Sequence, residues 1–402
     1  MSSILSHRPS QHPVFELRSG ESWRNPFPMY DALREHDPVQ HVEDGDFWVL
    51  SRWDDVLAAA KDTATFSSAH GLTVHYDDLA MAGLDEIAPL VMLDPPEHTE
   101  FRRLVSRGFT PRQVSSLENA VRTFVRERLD LLRADGGDIV SELFKPLPSF
   151  VVAHYLGVPP EDRPRFDRWT DLIVAAGAGD GVLSAGDAVA ELFDYFSELV
   201  ERRRTEPGDD VISALVGCSG DEVPVLRILG FAFTMVAGGN DTVTGLLGGA
   251  AELLAEHPEQ REQLVRAPEL LPSAVEELLR MVSPVQGLAR TLRSDVELHG
   301  SRIPAGRRVL LLYAAANRDP RQFGLDADHL DVLRPPGQIL SFSLGAHHCL
   351  GAAAARLQGR VALEELLATF PRFTVDAAAG RFATGSYVRR YESLPFLPEA
   401  GR

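Results

Sequence analysis

The residue with the clearest chemical potential is Cys349. It lies within the stretch LSFSLGAHHCLGAAAARLQGRVAL at 340–363, after a loop containing Gly345 and before Gly351 and a run of helix formers from Ala352 to Val361. A cysteine at a helix start faces the positive end of the helix dipole and unpaired backbone N–H groups, and both favour thiolate over thiol. A thiolate is either a nucleophile or a metal ligand. His347 and His348 adjoin it and offer a base for the first role. For the second, structural zinc wants four Cys or His ligands, and no second cysteine lies nearby. A single thiolate suits a haem iron, onto which it pushes electron density in favour of O–O cleavage. The chain's other cysteine, Cys218, sits in a polar GCSGDE turn and reads as an incidental loop residue. Two cysteines in 402 residues exclude a disulfide framework.

Two further constellations break local rules. The segment 223–256 is apolar nearly all round, as a buried helix is, and would be roughly 50 Å long. Its middle reads Gly238-Gly239-Asn240-Asp241-Thr242. Each glycine costs about 1 kcal/mol against alanine in a helix interior, and buried Asn and Asp cost more unless paired. A helix that sacrifices stability at its midpoint points to a site; the plain alternative is a kink for helix packing. In the helix predicted at 273–282, Glu277 and Arg280 are three apart and share a face, which by itself fits an ordinary surface ion pair.

The elements that must position these groups are mostly helical. Apolar residues recur at three- and four-residue spacing over 115–134, 187–204 and 257–267. Strand signals are confined to 41–56, around Phe47, Val49 and Leu50, and to Val296–Leu298 and Arg308–Leu312. The chain shows no repeat, linker or low-complexity tract, so residues 1–402 are expected to form one domain, mainly α with a small β region. A formal net charge of −18 argues against a nucleic-acid partner. The N-terminus carries neither a membrane span nor a secretory signal, so a cytoplasmic protein that does not bind membranes is expected.

Four motifs, in order along the chain, resemble the cytochrome P-450 superfamily. Phe342-Ser343-Leu344-Gly345-Ala346-His347-His348-Cys349-Leu350-Gly351 is similar to its haem-binding loop, Phe-x-x-Gly-x-x-x-Cys-x-Gly, with Ser343 where most bacterial members have Gly. Glu277-Leu278-Leu279-Arg280 resembles its Glu-x-x-Arg motif, whose usual third partner matches Arg334. Ala237-Gly238-Gly239-Asn240-Asp241-Thr242 resembles the oxygen-binding groove of the central helix, and Asp94-Pro95-Pro96-Glu97-His98-Thr99-Glu100-Phe101-Arg102 resembles the helix that meets the haem carboxylates. The likeness runs from Trp23 to Phe396. The segments FSSAHGLTV at 66–74 and LVSRGFT at 104–110 look especially like a mycobacterial group of that superfamily, family 130.

The resemblance implies a triangular helical prism with haem b between the central helix and the Cys349 loop. It implies Cys349 as axial ligand, with Gly238, Phe342 and Gly351 against the haem. It also implies His98, Arg102, Arg290 and His347 as propionate donors, and Glu277, Arg280 and Arg334 as a structural set. Asp241 and Thr242 match the family's acid–alcohol pair, which relays protons to bound oxygen. Thr234, Met235, Ala237, Val285, Gln286, Leu288, Tyr387 and Val388, with the 67–92 loop, are expected to line a pocket for a small hydrophobic substrate. The implied reaction inserts one atom of O2 by hydroxylation or dealkylation. Because the chain has no Rossmann glycine fingerprint or flavin domain, its electrons are expected from a ferredoxin and an NAD(P)H-dependent ferredoxin reductase, docking at Arg103, Arg107, Arg356 and Arg360. Oxidative coupling or ring closure on the same fold, and a non-catalytic haem-thiolate sensor or carrier, stay as alternatives that the Asp241–Thr242 pair disfavours.

Overall fold

The structure, a computed structural model, describes residues 14–76, 89–132, 136–177, 182–217 and 223–399. Cys218 and part of the 67–92 loop lie outside them. Helix α1 (Phe27–His36) leads into a hairpin of β1 (Val39–Val42) and β2 (Phe47–Leu50). The strand signal of 41–56 ends there. From Trp53 the chain turns into α2 (Trp53–Lys61), with Asp54 and Asp55 in its first turn, where the helix dipole favours carboxylates. The hairpin joins β3 (Phe66–Ser67), β4 (Leu288–Leu292) and β5 (Arg308–Leu311) in a five-stranded sheet of order β1-β2-β5-β4-β3. Only β2 and β5 run parallel in it.

The helical part contains α3 (Glu97–Val105), α4 (Glu118–Asp130), α5 (Pro146–Tyr155), α6 (Arg163–Gly177), α7 (Val182–Thr205), α8 (Val225–Glu256), α9 (Leu271–Val282) and α10 (Ala352–Thr369). The long apolar segment is thus one continuous 32-residue helix, α8, with no break at its glycines. It packs against α5, α6, α7, α9 and α10, and the main hydrophobic core surrounds it. Close approach needs small residues. A Cβ at Gly249 would fall 2.8 Å from both methyls of Val282 on α9, and one at Gly359 of α10 would fall 3.2 Å from Leu246. Among the described residues no helix is long and apolar enough to cross a membrane.

Glu277 and Arg280 are not a surface pair. Their side chains are 2% and 1% exposed. Arg280 grips Glu277 with two bonds of 2.7 Å, from Nε and Nη2. The second oxygen of Glu277's pair, Oε1, also accepts from Arg334 Nε at 3.2 Å and from the backbone N–H of Asp331 at 3.1 Å. The free arm of Arg280, Nη1, donates to the carbonyls of Asn317 and Ala327 at 2.8 and 2.6 Å. Asn317 passes this restraint onward. Its Oδ1 accepts from the N–H of Leu340 at 2.7 Å, and its Nδ2 donates to Ser283 and Ser341 hydroxyls. Ser341 is bonded in turn to the Leu279 carbonyl. The chain that leads into the Cys349 loop is therefore tied to α9 through one buried carboxylate and one buried amide.

Removing one member of a buried ion pair strands the other, at about 3–5 kcal/mol. Glu277→Gln is expected to lower the unfolding free energy by that amount, read as a lower denaturant midpoint, and to cost haem retention. An unchanged midpoint would show that Arg280 finds compensation elsewhere.

Candidate active site

The loop before α10 is built by turns. The N–H of Cys349 donates to the Phe342 carbonyl at 2.9 Å, and that of His348 to the Gly345 carbonyl at 3.1 Å. Gly345 has φ +80°, and a Cβ there would lie 3.0 Å from the Ala60 carbonyl of α2, so both conformation and space require glycine. Ser343, the departure from the family pattern, is also left-handed, with φ +54°. The Arg356 guanidinium lies 4.6 Å from the Phe342 ring centroid and is clamped by Glu276 through bonds of 2.5 and 2.9 Å.

The sulfur of Cys349 ends this loop in an unusual setting. The residue is open to a water-sized probe, yet burial among protein atoms is the chief influence on its thiol, pushing the pKa up. The N–H of Gly351 and the charges of Arg102 and Arg356 pull it back down. A group both open and enclosed lines an internal cleft. The same holds on α8. Between Ile228 and Ala255, only Ala237 and Gly238 are exposed. A Cβ at Gly238 would meet nothing within 4 Å, whereas one at Gly239 would strike Val152 of α5 at 2.8 Å. Of the two glycines in the segment that resembles the oxygen-binding groove, only Gly238 faces space, and Gly239 is a packing contact.

Beside the cleft lies an unbalanced cationic cluster. The rings of His98 and His347 are 4.2 Å apart. His98 is buried, and its Nδ1 has no hydrogen-bond partner. Burial lowers its pKa, helped by Arg102. His347 is pushed down to about 3, first by burial and then by Arg290, His98 and Arg102. Arg102 donates to the His348 carbonyl at 2.6 Å, and Arg290, 3% exposed, to the Ala289 carbonyl at 2.8 Å. Asp94 opposes the cluster, but it already accepts from Ser67, the N–H of Ser68 and Arg293. Two arginines and two imidazoles held together in this way are poised for carboxylates. The orphaned His98 nitrogen, the open sulfur and the open Gly238 all fit a haem with two propionates, held by these residues.

The acid–alcohol pair is also legible. Thr242 Oγ1 donates to the Gly238 carbonyl at 3.1 Å, the ordinary back-bond of a helical threonine. Asp241 pairs with Arg390 at 2.7 Å, a partner the sequence did not suggest. Burial raises the Asp241 pKa, and Arg390 opposes that rise.

The expected pocket residues divide. Val285 bridges Val388, and the N–H of Gln286 donates to the Tyr387 carbonyl at 2.8 Å, so these four come together. The Gln286 side chain is buried and committed to Tyr30 and to the Val282 and Ser283 carbonyls, which makes it part of the frame. Tyr387 Oη accepts from the N–H of Val74. The Thr234 hydroxyl turns back to the Gly230 carbonyl. Met235 and Leu288 are half-buried. Asn317, Ser341 and Arg390 went unnoticed in the sequence. For Asn317, the polar run Asn317-Arg318-Asp319 directly after Tyr313-Ala314-Ala315-Ala316 was the available signal.

The sequence model for cytochrome P-450 matches residues 185–378. The chain is 60% identical to cytochrome P-450 130 of Mycobacterium tuberculosis, covering 98% of this chain and 99% of that relative. It is 38% identical to the vitamin D(3) 25-hydroxylase of Pseudonocardia autotrophica, covering 91% and 90%. The crystal structure of a cytochrome P-450 from Bacillus megaterium in complex with testosterone matches with a TM-score of 0.84 at 32% identity, covering 94% of this chain and 100% of that one.

A left-handed backbone costs a non-glycine residue about 1–2 kcal/mol, while glycine's greater unfolded-state freedom costs roughly 0.5–1 kcal/mol. Ser343→Gly is therefore expected to stabilise the protein by up to about 1 kcal/mol, read as a higher thermal midpoint. A lower midpoint would mean that the weak 3.4 Å contact from Tyr313 to the Ser343 hydroxyl outweighs the backbone strain.

Proposed function

The chain belongs to the cytochrome P-450 family, and we propose that it holds haem b through Cys349 and uses Asp241 and Thr242 to move protons while a hydrophobic organic molecule is hydroxylated or dealkylated. Members of the family are haem monooxygenases: the thiolate-bound haem activates O2, one atom enters the substrate and the other leaves as water. The observation that carries the assignment is the open sulfur of Cys349 beside the cationic cluster. His98, Arg102, Arg290 and His347 would hold the propionates, and Gly238 the opposite side.

Asp241 and Thr242 have distinct jobs. The Thr242 proton is engaged by the Gly238 carbonyl, so its hydroxyl oxygen is left to accept a hydrogen bond from water. Asp241 follows one residue earlier on the same helix and supplies a carboxylate that can take up and release a proton. The apolar walls around them keep bulk water away from the reacting atoms.

The lining at Met235, Ala237, Val285, Leu288 and Val388 favours an apolar substrate. Two relatives point the same way, one named for vitamin D(3) and one solved with testosterone. For electron delivery we propose a ferredoxin fed by an NAD(P)H-dependent reductase. Its docking surface is narrower than four arginines. Arg356 is neutralised by Glu276, and Arg360 by Glu118 and Glu364, whereas Arg103 is exposed on α3.

Reduced protein with carbon monoxide is expected to give the absorption band of thiolate ligation. Cys349→Ser should abolish that band and Cys218→Ser should keep it; a band that survives Cys349→Ser removes the ligand assignment. Thr242→Ala is expected to bind haem normally but to divert reducing equivalents into hydrogen peroxide. Removing a positioned proton-transfer group typically costs about 100-fold or more in the step it serves, so unchanged coupling would end the relay role.

A further inference from the structure

Helix α8 carries a second pattern that the oxygen-side residues do not explain. Asp241, Gly245, Gly248 and Glu252 are spaced 4, 3 and 4 apart, and so form one stripe along the helix. The segment Arg389-Arg390-Tyr391 lies along it. At one end, Tyr391 Oη donates to Glu252 at 2.7 Å, and Arg389 pairs with the same carboxylate at 3.5 Å. In the middle, a Cβ at Gly245 would lie 2.8 Å from the Arg389 carbonyl, and one at Gly248 would lie 3.4 Å from the Tyr391 ring. At the other end, Arg390 reaches Asp241. One turn further, at Ala237 and Gly238, the helix is open. Asp241 therefore sits where the covered part of the stripe gives way to the cleft.

The covering segment is held independently of Asp241. The N–H of Arg389 donates to the Pro284 carbonyl, and its Nε to the Trp23 carbonyl at 2.8 Å. Arg390 thus has little freedom to follow a moving carboxylate. Its side chain is 11% exposed, and that of Asp241 is 19% exposed.

We propose that Arg390 is a positioning residue for the proton relay: anchored across Gly245 and Gly248, it favours the ionised form of the Asp241 carboxyl and fixes it at the edge of the cleft. This rests on the relay role assigned to Asp241. Among the described residues, the charged groups that act on that carboxylate are Arg390 from the C-terminal segment, Lys145 just before α5 and Asp171 on α6. Lys145 and Asp171 are paired with each other at 2.8 Å and half-exposed, so they offset one another. Arg390 is the unshared cation. The sign follows directly. Burial raises the Asp241 pKa and Arg390 lowers it, so loss of Arg390 keeps the carboxyl protonated to higher pH. A relay whose acid holds its proton too long passes it on more slowly.

The test is a pH titration of the protonated-carboxyl infrared band in the resting holoprotein, with Asp241→Asn identifying the band, alongside peroxide released per reducing equivalent. In Arg390→Ala the band should persist to higher pH and peroxide release should rise, and Arg390→Lys should restore both toward the parent. Gly245→Ala keeps every charge but pushes the Arg389 backbone away, and should shift both readouts in the direction of Arg390→Ala. If Asp241→Asn leaves coupling intact, the relay role itself falls. If Asp241→Asn uncouples the enzyme while Arg390→Ala titrates and couples like the parent, only the assignment of Arg390 falls.

Discussion

The buried Glu277–Arg280 pair is the interaction on which the rest of the molecule depends. Two charges have been taken out of water, and each must be fully satisfied where it lies. Glu277 is satisfied by two arginines and a backbone N–H; Arg280 is satisfied by Glu277 and by three backbone carbonyls from the segment between the sheet and the cysteine loop. Because one of those carbonyls belongs to Asn317, the charge pair fixes the amide that in turn fixes Leu340 and Ser341. The loop that carries Cys349 is thereby tied, through Leu340 nine positions before it, to a charge pair far upstream in the chain. Such a network is all-or-none: partial satisfaction would be worse than an apolar core.

A second electrostatic constraint works in the opposite sense. The chain carries 58 acidic and 40 basic residues, yet beside the cleft it gathers two arginines and two histidines. Most arginines elsewhere in the helical core are neutralised, as in the net of Arg122, Arg126 and Arg360 with Glu118, Glu364 and Glu365. The cluster at His98 is distinctive because Asp94, the carboxylate that acts on it, is already engaged by three donors. Uncompensated positive charge in a partly buried place is costly, and it favours an anion set beside it.

The central helix shows how one element serves three masters. Gly239 and Gly249 bring neighbouring helices close. Ala237 and Gly238 open the cleft. The stripe from Asp241 to Glu252 receives the C-terminal segment and, with it, Arg390. The cleft and the covered stripe succeed one another along one face, while Gly239 points away from it, so the roles do not compete. They also explain why so many glycines are tolerated in a helix: each lost side chain is replaced by a close neighbour or by usable space, and burial on all sides supplies the stability that propensity withholds.

Local chemistry and periodicity were written in the sequence. The helical segments, the hairpin and the length of α8 could be read from periodicity, because these depend on neighbours a few positions apart, while the family and the expected roles of Cys349, Asp241 and Thr242 came from resemblance to known motifs. Glu277 and Arg280 could be paired by their spacing, but not recognised as buried, since burial depends on what packs over them. Gly238 and Gly239 looked equivalent for the same reason: only the arrival of Val152 distinguishes a packing glycine from an open one. The bonds of Asn317 to Leu340 and of Arg390 to Asp241 span 23 and about 150 positions along the chain, beyond any local pattern. Tertiary structure decided those, because a side chain's partner is set by which segments the fold brings within hydrogen-bond reach.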